Sequence, residues 1–369
     1  MKKMLYITTT QFDENSTGIG HKIYKQIELF KSLGFRVKVY NQFTDMRLMT
    51  RLLYLLPFCN IKYSYDDIVE EKNVDAIYLR YYLCDAKLIE MLKTLRANNP
   101  GARILVEIPT YPYDGEIFCL APKLLKDHAH RMKMSGLVDR IITFSDDTEI
   151  FGIPTINISN AVDTDKIKIN YFVNPGNKEI HLICVAQFDF WHGYDRMIEG
   201  LYRYYQQGGK IKFVFHIVGY AKRKKLLDDY NKLIKKYKLQ EHVVFHGKQY
   251  GESLDQIYAQ CSLAVDSLGR HRSHVEYNSS LKGKEYMAKG LPSISGVRTE
   301  MDSVKGFPYY FRVPADDSPV DFQKIEVFYS SVYDGRSHEQ VINEIRSYCD
   351  AHFTFEKAYK PLLEYLLAV

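Results

Sequence analysis

The chain has 369 residues, 46% hydrophobic and 26% charged, which is enough for two domains that each bury a core. Its net charge of +5 is spread along the sequence, which speaks against a nucleic-acid binder and leaves room for anionic ligands or lipids. Six cysteines without a C-x-x-C pair exclude a zinc ribbon or a disulfide scaffold and fit a reducing cytoplasm. No stretch approaches the roughly 20 apolar residues of a spanning helix. Met1 to Ile7 lacks the apolar core and cleavage site of a signal peptide, so a cytoplasmic protein is expected.

Leu5 to Thr9 is a short apolar, β-branched run that predicts a buried parallel strand. A polar loop to Gly20, a helical pattern from His21 to Leu33 and a strand over Arg36 to Tyr40 complete a βαβ unit. Gly18 and Gly20 lie just ahead of the helix. Such a pair can bring backbone N–H groups against a phosphate, or it can form a plain tight turn. Residues 46–58 combine Arg47 and Arg51 with large apolar side chains, and Pro122 to Met134 interleaves Lys123, Lys126, Arg131 and Lys133 with Leu124, Leu125, Met132 and Met134. Each stretch reads either as a membrane-interface element or as a helix packed on a sheet with a solvated basic face.

Asp75 to Arg80 and Arg103 to Ile108 are two further strands; Glu107, Thr110 and Tyr111 lie at the carboxyl end of the second and are expected to face a cleft. Arg140 to Phe144 and Pro154 to Ile158 complete a first domain over residues 1–165. From Thr164 to Lys178 the pattern loosens, and a second domain over 179–340 repeats the logic. Strands at Ile180–Ala186, Phe213–Val218, His242–His246, Leu263–Asp266 and Ser293–Ser295 alternate with helices. The fold class is therefore α/β, with two Rossmann-like doubly wound domains and a ligand cleft expected between them. Glu339 to Leu367 reads as one or two helices broken near Phe353-Thr354, and the pattern does not say which domain they join.

Ahead of the last strand, Ser279-Ser280 and Gly290 mark the start and stop of a helix, with Pro292 just beyond. Lys282, Glu285 and Lys289 fall on one of its faces, which suits either an ion-paired surface helix or an anion site at the helix N-terminus. The preceding loop carries Arg270, His271, Arg272 and His274. Trp191, beside His192, either stacks on a ligand or fills the core. No G-x-S-x-G, H-E-x-x-H, Walker A or full G-x-G-x-x-G sequence is present, which disfavours the corresponding hydrolase, NTPase and dinucleotide chemistries.

The combination of Thr17-Gly18-Ile19-Gly20, Ser159-Asn160-Ala161-Val162-Asp163, Trp191-His192-Gly193-Tyr194-Asp195 and the stretch Ser280 to Pro292 resembles the GT-B-fold retaining glycosyltransferases of family 4. The resemblance spans almost the whole chain. It implies a nucleotide-diphosphate sugar donor, most simply a UDP-sugar, held by the second domain, and a glycan, lipid-linked or protein-linked acceptor met by the first. It further implies no obligatory metal, no cofactor beyond the donor, no nucleic-acid partner, and a crossing back to the first domain over about 345–369. Glu285 matches the family glutamate on the donor ribose, Lys282 a basic residue beside the diphosphate, Gly18 and Gly20 the glycine loop, and Gly219 and Gly247 the lining of base and ribose. Ser280 heads the same helix.

The sequence departs from the family pattern in three places. Gln187 and His192 stand where an Arg and a Lys usually grip the diphosphate, Tyr277 replaces one of two spaced glutamates, and a loop from Glu107 to Tyr113 stands where a histidine is often found. Arg270, Arg272 and Lys282 are the candidates to supply the missing charge. The expected function is sugar transfer in which Lys282 and the helix N-terminus stabilise the leaving diphosphate, with His192 and Glu285 beside them. Such an enzyme could sit peripherally on an anionic membrane. A non-catalytic GT-B subunit and a nucleotide-sugar epimerase are the alternatives.

Overall fold

The computed structural model describes residues 1–13, 18–42, 56, 65–116, 121–171 and 179–368. Residues 46–58 and Thr17 lie outside these, apart from Leu56. The chain divides into two units, Met1–Ala161 with Phe355–Val369, and Val162–Thr354.

In the first unit the strands are β1 (Lys3–Thr8), β2 (Arg36–Asn41), β3 (Ala76–Arg80), β4 (Arg103–Ile108), β5 (Arg140–Thr143), β6 (Glu149–Ile150) and β7 (Ile153–Asn157). They run in the order β2-β1-β3-β4-β5-β7-β6, parallel except for β6 against β7. The helices are α1 (Ile19–Ser32), α2 (Asp66–Val69), α3 (Ala86–Asn98) and α4 (Ala121–His130). Strand alternation divides the core: Met4 and Tyr6 pack with Ile23 and Phe30 of α1, whereas Leu5 and Ile7 pack with Leu88 and Leu92 of α3.

The same alternation corrects the expectation that Glu107 faces a cleft. Its side chain points to the α1 side of the sheet and is fully buried. There it is neutralised by Arg80 and by Lys22, whose Nζ lies 3.6 Å away, and it accepts a hydrogen bond from Gln26 at 2.7 Å. A buried carboxylate needs such partners, and these hold its pKa down at about 2 against the upward pull of burial.

The second unit is wholly parallel among its described strands: β8 (Glu179–Phe188), β9 (Lys212–Ala221), β10 (Val243–Gly247), β11 (Leu263–Val265), β12 (Ser293–Ser295) and β13 (Tyr310–Arg312), in the order β10-β9-β8-β11-β12-β13. Helices α5 (Tyr194–Gln206) and α6 (Lys224–Tyr237) cover one face through Leu201, Tyr230 and Ile234. On the other face α7 (Gly251–Tyr258) and α8 (Leu281–Ala288) bring Ile257, Tyr258 and Tyr286 against Ile183, Val218 and Ala264. The strand order reverses between β8 and β11, so connections leave on opposite faces and a crevice opens at the carboxyl ends.

Beyond β13, α9 (Phe322–Tyr333) and α10 (His338–His352) stay with the second unit, α10 burying Val341, Ile345 and Cys349 in its core. The return to the first unit therefore begins at Phe355 rather than near residue 345. There α11 (Phe355–Ala358) and α12 (Lys360–Leu367) add Tyr359, Leu362 and Leu366 to the cluster of Met4, Tyr6 and Phe30.

Candidate functional site

Three segments of the second unit converge where the strand order reverses: the loop after β8, the loop after β11 and the first turn of α8. Backbone hydrogen bonds from Leu268 N to His192 O (2.8 Å) and from Gly269 N to Trp191 O (3.1 Å) lock the two loops together. A Cβ on Gly193 would lie 2.7 Å from Gly269 N, so this close approach needs glycine. The Tyr286 hydroxyl accepts from Val185 N (3.1 Å) and donates to Val265 O (3.3 Å), pinning α8 to both strands of the reversal.

Ser280 caps α8, its Oγ accepting from Gly283 N at 3.3 Å. The first turn holds no acidic residue, so the positive field of the helix N-terminus is left standing. Lys282 sits in that turn, its Nζ 3.2 Å from Asp266 Oδ1 and donating to Ser267 Oγ at 3.0 Å. Burial pulls the Lys282 pKa down, the Asp266 carboxylate pulls it up, and the charge of Arg270 lowers it again.

His192 is buried, and its Nδ1 accepts the amide N–H of Asp189 at 2.9 Å, which places its own proton on Nε2. Burial, then Lys282, then Arg270 push its pKa well below the usual histidine value. The imidazole is therefore neutral, an N–H donor rather than a cation. Trp191 carries Arg270 and Lys222 over its ring, 5.7 and 5.4 Å from the centroid. The indole is thus a platform for cations at the edge of this site.

One turn further along α8, Glu285 makes no hydrogen bond through its carboxyl among the described residues. Burial raises its pKa to about 7, against the opposing pull of Lys282 and Lys289. Lys289 itself is drawn off by Asp255, at 2.7 Å. An acid left without a partner beside a helix N-terminus is available to a hydroxyl donor.

Other residues singled out from the sequence have other settings. Arg272 forks onto both carboxylate oxygens of Asp195 (2.9 and 2.7 Å) and donates to Asp317 (2.7 Å). Its charge is already balanced, and it acts as a clamp between α5 and the segment after β13. Gln187 is exposed near the end of β8. Gly219 has φ 120°, and a Cβ there would lie 1.8 Å from Ala186 O, so it is a point of very close approach of β9 to β8. Gly247, at φ 65°, ends β10 in open space. Gly18 and Gly20 belong to the first unit, where Gly18 (φ 56°) is the N-cap of α1 without a side-chain cap.

Asp266, Ser267 and Tyr286 are site residues that sequence reasoning misses. Asp266 carries a signal, a carboxylate ending an apolar strand, but the bridge made by Tyr286 exists only once β8 and β11 are neighbours. Among the described residues one trio, Asp114, Asp127 and His128 in the first unit, has the spacing of a metal site. Arg131 already pairs there with Asp114 (2.9 Å) and Asp127 (3.3 Å), so the local cation is a guanidinium.

Comparison with solved structures places the whole chain on the GT-B fold. A glycosyltransferase from Rickettsia africae covers 99% of this chain and 98% of its own, at 14% identity and TM-score 0.65. Sucrose-phosphate synthase from Thermosynechococcus elongatus gives 99% and 98% coverage, 16% identity and TM-score 0.66. HepE from Anabaena, solved with UDP and glucose, covers 100% of both chains at 13% identity and TM-score 0.59. No curated protein matches the sequence. Residues 166–299, the segment that holds His192, Asp266, Arg270, Lys282 and Glu285, match the family model described as glycosyl transferases group 1.

Proposed function

We propose that the protein transfers a sugar from a nucleotide-diphosphate donor, a UDP-sugar in the simplest case, to a glycan or lipid-linked acceptor. The single observation that carries this reading is electrostatic. Lys282 and Arg270 come from two different segments to the N-terminus of α8, and their charges crowd one another, since both depress His192 and Arg270 depresses Lys282. Asp266, 3.2 Å from Lys282 Nζ, offsets part of that crowding, and a bound anion would relieve the rest. A diphosphate there receives the helix field, the charge of Arg270 and that of Lys282, which Asp266 partly offsets, with His192 Nε2–H as a neutral donor. Glu285, one turn in, accepts from the ribose hydroxyls.

In this reading the chemistry is leaving-group stabilisation. As the bond from the anomeric carbon to the diphosphate breaks, negative charge grows on the phosphate oxygen facing Lys282 and Arg270. Retention of configuration and a departing phosphate that takes the acceptor proton complete the proposal, in keeping with the family resemblance. The test is a titration with UDP, GDP and ADP followed by turnover of the matching sugar nucleotides. Lys282→Ala should reduce kcat by about 10²–10³, the loss typical of one transition-state charge partner, and should also lower the melting temperature because it strips the buried Asp266 of its cation. Unchanged turnover in that variant sinks the assignment.

A non-catalytic subunit is favoured by one observation: Arg272, one of the cations the sequence offered for a diphosphate, is consumed by Asp195 and Asp317. Nucleotide binding without turnover of any donor would select it. We further propose that the segment formed by α4 and the turn that follows it, Arg131–Met134, rests on an anionic membrane. Leu125 and Met132 are 63% and 57% exposed on this stretch, with Lys133 beside them. The double variant Leu125→Asp, Met132→Asp should lose co-sedimentation with anionic liposomes and keep nucleotide binding.

A further inference from the structure

Away from the nucleotide crevice, four titratable side chains form one line across three parallel strands of the second unit. Glu179 Oε2 lies 3.3 Å from His181 Nε2, His181 Nδ1 lies 2.9 Å from His216 Nε2, and His216 Nδ1 lies 2.9 Å from His246 Nε2. Successive ring centroids are 5.1 Å apart with planes 21° from one another. That separation is a hydrogen bond plus two ring radii, so the imidazoles meet edge to edge rather than face to face. The line starts at the amino end of β8 and finishes at the carboxyl end of β10, the end at which the nucleotide crevice opens.

Each hydrogen bond holds one proton, and this fixes every tautomer. The Glu179 carboxylate only accepts, so His181 carries its proton on Nε2 and offers Nδ1 as acceptor. His216 must then donate from Nε2, and His246 likewise. In the neutral chain all protons point toward Glu179, and the one vacant acceptor is His246 Nδ1. A solvent proton that binds His246 Nδ1 can be relayed: His246 Nε2–H passes to His216 Nδ1, and His216 Nε2–H passes to His181 Nδ1. One proton enters, none leaves, and the positive charge comes to rest on His181 beside Glu179. His216 and His246 end as Nδ1–H tautomers. A second proton finds no place, because it would set two N–H groups against each other across one 2.9 Å gap.

We propose that Glu179, His181, His216 and His246 form a one-proton tautomer switch that converts His246 Nδ1 from acceptor to donor beside Gly247. Among the described residues, the charged groups near the line have these partners. Lys212 pairs with Glu179 at 2.9 Å, and α7 covers this face through Ile257 and Tyr258, with its Asp255 turned to Lys289. The amide of Gln249 goes to the His246 carbonyl. His216, 4% exposed, is held down by burial and by its two imidazole neighbours, so it relays the proton without keeping the charge.

The test is histidine ¹⁵N–¹H correlation spectroscopy on the full chain between pH 8 and pH 5. The expected result is Nε2–H on all three rings at pH 8. On acidification His216 and His246 should convert together to Nδ1–H while His181 alone becomes the imidazolium. Glu179→Gln removes the counter-charge and should move that conversion at least one pH unit lower, with the fold intact. His216→Phe cuts the line, so His181 and His246 should then titrate independently. Retention of the Nε2–H tautomer at His216 throughout, or identical titrations in wild type and Glu179→Gln, overturns the proposal. Because the readout is a tautomer, its failure leaves the donor-site reading untouched.

Discussion

Glu285 is the residue at which function and stability pull apart. Its carboxyl is raised to about 7 from an ordinary value of 4.5, chiefly by burial. Between those two pH values the folded chain holds a proton that the unfolded chain has released, so stability falls as pH rises through the window. At pH 8 the full cost applies, up to about 3 kcal/mol at 1.36 kcal/mol per unit. Glu285→Gln should therefore raise the melting temperature at pH 8, change it little at pH 4.5, and weaken nucleotide binding at both. A melting temperature that drops at pH 8 contradicts this account of the site. Sequence spacing puts Glu285 and Lys282 on one helix face. It cannot tell that Lys282 leans on Asp266, or that Arg272 is neutralised by Asp195 and Asp317, because those partners lie far along the chain.

At the scale of elements, α8 and the strand ends explain why some positions allow so little choice. Ser280 supplies the cap, and Ser280→Ala should cost about 1 kcal/mol by denaturant unfolding without altering the crevice loops. Gly219 is more severe: with φ 120° and Ala186 O only 1.8 Å from where a Cβ would stand, there is no room for any side chain. Gly219→Ala should cost about 3 kcal/mol or more in the same measurement, because backbone on both strands must move. Most of these elements are legible in the sequence, since strands such as Ile180–Ala186 are continuous apolar runs and α8 carries its own start and stop signals. The three-residue β13 and the helix α9 are not, the first because three residues show no periodicity, the second because its apolar positions include the exposed Val327. Sequence alone sends Glu107 to a cleft because it lies at the carboxyl end of a parallel strand, and the partners that offset the cost of its burial, Arg80 and Lys22 with Gln26 and Tyr78, are brought in by β3 and α1.

On the scale of the whole molecule, the chain closes its first unit with its last residues. Nothing in the sequence pattern links Tyr359 to α1, yet its hydroxyl receives Gln26 Nε2 at 2.7 Å, and Gln26 in turn holds Glu107 at 2.7 Å. Leu362 and Leu366 fill the side of the sheet opposite α3, and Arg103 fixes the end of α12 through the carbonyls of Tyr365 and Ala368. The first unit thus depends on a segment synthesised after the second unit is complete. Leu362→Ala opens a cavity in that core and should cost about 2–5 kcal/mol. If the two units are separate cooperative bodies, the loss falls on one alone. Native-state hydrogen exchange should then show reduced protection in β1 and β3 and unchanged protection in β8 and β9. Equal loss in both sheets would mean that the units unfold as one, and the closing segment would be a brace for the entire chain rather than the final layer of the first core.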